Sequence, residues 1–119
     1  MNKVILMGRL TKDPVIIAGE SKDSVNIAKY TLAVDRHYND ETDFISCVAF
    51  GGSADFAEKY LYQGIKILIT GRIQTGSYTN KDGVKVYTTD VIVENQEFCE
   101  PKRAEEEPEE PQPKRYKRR

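Results

Sequence analysis

Apolar residues return at every second position through most of residues 3–93, and only one stretch, residues 53–64, changes to a spacing of four. A period of two places successive side chains on opposite faces of a strand, so the chain is expected to be β-structure interrupted by a single helix. Lys3 to Leu10 reads as the first strand, with Gly8 marking a bend or a close approach of backbone. Val15-Ile16-Ile17 continues it beyond the turn Lys12-Asp13-Pro14, and Ala18 to Ser24 is a polar loop. Val25 to Arg36 forms a second strand, His37 to Thr42 a loop, and Asp43 to Phe50 a third strand. In the helix, Ser53 is placed as N-cap, Asp55 lies in the first turn and Gly64 ends the segment. Phe56 with Tyr60, and Ala57 with Leu61, form its apolar face. Ile65 to Ile73 is a fourth strand carrying Gly71. Gln74 to Thr79 extends it into a hairpin closed by Asn80-Lys81-Asp82-Gly83, and Val84 to Val93 is the fifth strand.

Five strands with one helix between the third and the fourth is the order of an all-β OB-fold barrel, although another small barrel fits the same string. A body of about 100 residues buries enough surface to fold without disulfides or metal. The apolar pattern stops near Pro101, and from Lys102 onward the residues are Glu, Pro, Lys and Arg apart from Ala104, Gln112 and one aromatic, Tyr116. Such a segment buries too little apolar surface to offset its ordering entropy, so residues 1–101 are read as the domain and 102–119 as a disordered tail, acidic and then basic. Cys47 lies inside an apolar run and Cys99 at the end of the body, an arrangement of reduced thiols. The N-terminal apolar run, Val4 to Met7, is too short for a secretion signal or a membrane span, which points to a cytoplasmic protein.

Catalytic chemistry finds no foothold. The one histidine, His37, falls in a loop, and there is no HExxH, CxxC, phosphate loop or GxSxG. No enzyme, cofactor or metal is expected. The aromatic residues are more informative. Tyr38, Phe44, Phe50 and Tyr78 fall on strands, strand ends or the long hairpin. Phe44 and Phe50 differ by six and share one side of a strand, and the opposite parity holds Ile45, Cys47 and Ala49. Either set can be the core. Lys3, Arg9, Arg36, Arg72, Lys81 and Lys85 accompany the rings, and bare rings beside a cationic track are what unpaired nucleic acid requires. Singly, each of these cations also fits an ordinary solvated position. Residues 1–100 carry 11 Lys and Arg against 14 Asp and Glu, so any such track must be local.

The stretches Asn2-Lys3-Val4-Ile5-Leu6-Met7-Gly8-Arg9-Leu10-Thr11-Lys12-Asp13-Pro14, Tyr30-Thr31-Leu32-Ala33-Val34 and Asp43-Phe44-Ile45-Ser46-Cys47-Val48-Ala49-Phe50 resemble, in order and spacing, bacterial and phage single-stranded DNA-binding proteins. So do Ala57-Glu58-Lys59-Tyr60-Leu61, Gly71-Arg72-Ile73-Gln74-Thr75-Gly76-Ser77-Tyr78 and Tyr87-Thr88-Thr89-Asp90-Val91-Ile92-Val93. The resemblance implies an OB-fold, a homotetramer, and sequence-independent binding of single-stranded DNA during replication, recombination and repair at the nucleoid. It also implies that Tyr38, Phe44, Phe50 and Tyr78 are the stacking rings, which puts both phenylalanines on the DNA side. Ser46, Gly52, Gln63, Gln74 and Gly76 stand where relatives often carry lysine or arginine. Relatives also end in an acidic segment with an apolar tip that recruits replication and repair proteins, whereas here Glu105 to Glu110 is followed by Lys114 to Arg119. Two other functions fit a barrel of this kind: a primosome-type protein-interaction module and an RNA-binding barrel.

Overall fold

The computed structural model describes residues 1–20 and 24–99. The two-residue period becomes six strands: β1 (Val4–Leu10), β2 (Val15–Ile17), β3 (Ile27–Asp35), β4 (Thr42–Phe50), β5 (Lys66–Thr79) and β6 (Lys85–Phe98). One helix, α1 (Gly52–Tyr60), lies between β4 and β5. β1 and β2 are the two halves of the expected first strand, so the five-strand order with its single helix is met. The charged tail expected at 102–119 lies outside the described residues.

The strands follow the order β1-β5-β6-β4-β3-β2, and β1 also pairs with β3, which closes the sheet into a ring. Closure removes long open edges and leaves an inside and an outside to every strand. From β3 the buried residues are Ala28, Tyr30 and Leu32; Leu10, Cys47, Ile67 and Ile69 join them from β1, β4 and β5. Gly8 is where the ring tightens, since a Cβ there would sit 2.5 Å from the Ala33 carbonyl oxygen. Tyr30 brings a hydroxyl into this core. Its hydroxyl donates to Gln96 Oε1 at 2.8 Å, and Gln96 Nε2 donates to the Ser53 carbonyl at 3.1 Å. Burial raises the Tyr30 pKa above the ordinary phenol value, so the group stays a donor.

The helix differs from expectation in its ends. Gly51, at φ 61°, takes the N-cap position with no side-chain cap, and Ser53 falls inside the first turn. Only a residue tolerant of positive φ turns the chain that sharply after β4. The helix closes at Leu61, in extended conformation, before Gly64 is reached. Ala54, Ala57 and Leu61 pack into the core. Phe56 and Tyr60 instead flank it, their ring centroids 5.0 Å apart, with Phe98 at 5.6 Å from Phe56.

β6 runs five residues beyond the expected Val93, to Phe98, helped by a register shift between Thr70 and Gly71 on β5. The β5–β6 hairpin therefore has two parts, one inside the barrel and one projecting as an arm, exposed along β5 from Arg72 onward. Its turn is the expected one: Asn80 N–H donates to the Val84 carbonyl at 2.9 Å, Gly83 N–H to the Asn80 carbonyl at 3.0 Å, and Gly83 takes φ 81°. Among the described residues no helix is long and apolar enough to cross a membrane.

Candidate nucleic-acid interface

On β4, Cys47 and Ala49 are buried and Ile45 packs against the same core, which leaves the other parity outside. Phe44 and Phe50 are 68% and 43% exposed. Six residues of strand separate them by roughly 20 Å. Between them Val48 pairs with Ile92 of β6, and both are buried, so the phenylalanines rise from the two ends of a filled row.

That row continues onto the arm. Arg72, Gln74, Gly76 and Tyr78 of β5 oppose Ile92, Asp90, Thr88 and Val86 of β6, and residues opposed in a ladder share a face. Through Ile92 and Val48 the Tyr78 face joins the outer face of β4, and Tyr78 is 56% exposed. Tyr38, at 74%, stands in the β3–β4 loop at the rim, its ring edge-to-face with His37 at 5.7 Å. The base of that loop is braced. Arg36 Nε donates to both Asp43 oxygens at 3.1 and 3.2 Å, its Nη2 donates to Oδ1 at 2.8 Å, and its Nη1 reaches Glu41 Oε1 at 2.9 Å. This hydrogen bonding raises the Arg36 pKa and lowers that of Asp43.

The structure sorts the expected cations. Arg9 pairs with Ala33, which pairs in turn with Phe44, so Arg9 is two strands from a stacking ring; its Nη1 also donates to the Gly64 carbonyl at 2.9 Å. Arg72 lies on the Tyr78 face and donates to Gln74 Oε1 at 3.0 Å, and Lys81 is exposed in the turn of the arm. Lys3 is paired to Glu94 at 3.3 Å. Arg36 is committed to the β3–β4 loop rather than presented as an open charge. Lys85 pairs with Thr79 on the reverse face of the arm, away from Tyr78, with its Nζ 5.4 Å from the Tyr87 ring centroid.

Two cations near the platform escaped the sequence reading. Lys29 points outward from β3, between Val15 and Val48, and with Lys12, Thr31 and Ser46 it lines a shallow cleft of about 200 Å³ between the phenylalanines. The signal was available in the alternation of β3: with Tyr30 and Leu32 inside, Lys29 must face out. Lys12 had no such signal, because it lies in a turn whose direction only the folded ring sets. Among the described residues no group of three or more His, Cys, Asp and Glu is placed to hold a metal ion.

A closed barrel with open rings on one continuous outer face and single cations beside them belongs to the class of single-strand nucleic-acid-binding OB-folds. The sequence matches the single-strand binding protein family over residues 1–99, and the chain belongs to that family. It is 46% identical over 101 residues to the single-stranded DNA-binding protein of Clostridium perfringens, covering 84% of this chain and 67% of the relative. It is 40% identical over 111 residues to single-stranded DNA-binding protein 1 of Staphylococcus aureus strain MSSA476, covering 89% and 70%. Binding rather than catalysis is the activity such a family defines.

Proposed function

We propose that this chain coats single-stranded DNA irrespective of base sequence, stacking bases on Tyr38, Phe44, Phe50 and Tyr78. Arg9, Lys29, Arg72 and Lys81 supply charge to the phosphates between them. The observation that carries this reading is the exposure of all four rings on the outer face and rim of a barrel whose inward-facing strand positions fill the core. Duplex DNA hides the faces of its bases and a single strand offers them, so stacking selects the unpaired form whatever the base. The relatives' names agree in naming single-stranded DNA. The work of such a protein lies in replication, recombination and repair, at the nucleoid in the cytoplasm.

Assembly into a homotetramer is part of the proposal. Ile5 and Met7 point outward and exposed from β1 beside Leu68 of β5, an apolar strip that a second subunit would cover. Fluorescence anisotropy of labelled oligo(dT), of the matched RNA and of a duplex tests the function: tight binding to oligo(dT) alone is expected, and equal affinity for the duplex would refute stacking. Sedimentation of the wild type against Met7→Lys reads the assembly.

A further inference from the structure

The arm has a second face that the site above does not use. A two-stranded ribbon has no interior, so a ring on either side meets solvent. Ser77 opposes Tyr87 one step along the ladder from Tyr78 opposite Val86, which sets the two tyrosines on opposite faces of the same stretch of arm. Tyr87 is 74% exposed, as open as any ring on the front. The residues that alternate with it on the reverse face are Thr75, Ser77, Thr79, Lys85 and Thr89: four hydroxyls, one cation and no carboxylate. On the front face of the arm, by contrast, Asp90 shares the Tyr78 row. In a chain of net charge −1, the reverse face is thus a local neutral-to-positive surface.

We propose that this reverse face, centred on Tyr87 and Lys85, is a second single-strand contact, taken by DNA that leaves Tyr78 and turns around the arm. The proposal rests on the reading that Tyr78 stacks a base. Lys85 Nζ, 5.4 Å from the ring centroid, sits on one side of the phenol, which leaves the other side for a base. A base stacked there brings its phosphates within reach of the ammonium and of the threonine and serine hydroxyls, none of which reads sequence. The buried centre of a protein–protein interface is enriched in aromatic residues and depleted in serine and lysine, whereas here a single ring stands among hydroxyls beside a lysine.

The chain contains no tryptophan, so one introduced indole reports alone. Tyr87→Trp and Tyr78→Trp, each in the full chain, are titrated with a long oligo(dT) while indole emission is followed. Quenching in both variants, reversed by salt, is expected. Quenching in Tyr78→Trp but not in Tyr87→Trp overturns this proposal alone, and quenching in neither also removes the front-face reading. In parallel, Tyr87→Ala is expected to weaken binding of the long oligomer by about fivefold or more, the lower end of one base–aromatic stack, with a short oligomer unaffected. Unchanged affinity for the long oligomer overturns it, as does a change in sedimentation mass of the DNA-free Tyr87→Ala protein, which would make the face a contact between subunits.

Discussion

Arg36, the first residue after β3, reaches back to Asp43, the second residue of β4, and the guanidinium holds both carboxylate oxygens, at 2.8 to 3.2 Å. An arginine so engaged positions a loop rather than meeting a phosphate, and the loop it positions carries Tyr38. Arg36→Ala is therefore expected to weaken oligo(dT) binding through Tyr38 while leaving the slope of log K against log[salt] unchanged. A slope lowered by about 0.7, the increment of one phosphate contact on a single strand, would show that Arg36 leaves Asp43 when DNA binds. The pH dependence has a definite sign. The hydrogen bonds from Arg36 depress the Asp43 pKa, so what the pair contributes is complete above the ordinary aspartate value of 3.8 and is lost as pH falls through the lower folded value. Binding between pH 5 and 8 should not report this pair at all.

Phe44 and Tyr78 are open enough that removing their rings leaves no cavity. Phe44→Ala and Tyr78→Ala should each weaken oligo(dT) binding by about 1–3 kcal/mol. The thermal midpoint should stay within a few degrees of the wild type, as befits substitutions outside the core. Equilibrium titration alongside a thermal melt separates the two quantities. A large drop in midpoint would mean that the rings serve the barrel and not the DNA.

Lys29 stands between the phenylalanines, at the cleft shared with Lys12 and Ser46. A strand stretched from Phe44 to Phe50 must pass it. Lys29→Ala is expected to lower the salt slope by about 0.7. Lys3→Ala, which removes a charge already paired to Glu94, should leave the slope as it is. Measuring binding across a series of salt concentrations for both variants tests the difference, and equal slopes would move the phosphate path away from the cleft.

The sequence made the barrel legible because its signals are local: alternation, turn chemistry at Asn80 to Gly83 and one segment with a helical period. It was silent wherever a direction depends on the closed ring. Phe44 and Ile45 are both plausible core residues in isolation, and only the resemblance to a known family favoured the arrangement that the fold adopts. The fate of the cations shows the same limit. Arg36 and Arg72 look alike as letters, yet one meets an aspartate seven positions along the chain and the other lies along the Tyr78 face. Lys85 and Lys81 are four apart, and strand pairing alone decides that Lys85 turns behind the arm. Ser53 looked like a helix cap because N-cap positions favour serine, but the turn out of β4 needed positive φ, and Gly51 supplied it.

Cys47 lies directly behind the platform, fully buried between Ser46 and Val48 on β4. Burial pushes its thiol from 9.0 up to about 12, and the negative charge of Asp90 adds to the rise. A raised folded pKa means that the protonated form is favoured by folding, so this contribution is full below the ordinary value of 9.0 and is lost as pH climbs toward 12. Tyr30, raised in the same sense by burial, acts over the more alkaline part of that window. Two outcomes are expected. Iodoacetamide at pH 8 should leave Cys47 unmodified in the folded protein and alkylate it in denaturant, as mass spectrometry of the peptide would read. The thermal midpoint should hold from pH 7 to 9 and then decline, less steeply in Cys47→Ala, with Tyr30→Phe removing a further part. Modification of Cys47 at pH 8 under native conditions would mean that β4 opens locally, and with it the row that sets Phe44 and Phe50 outward.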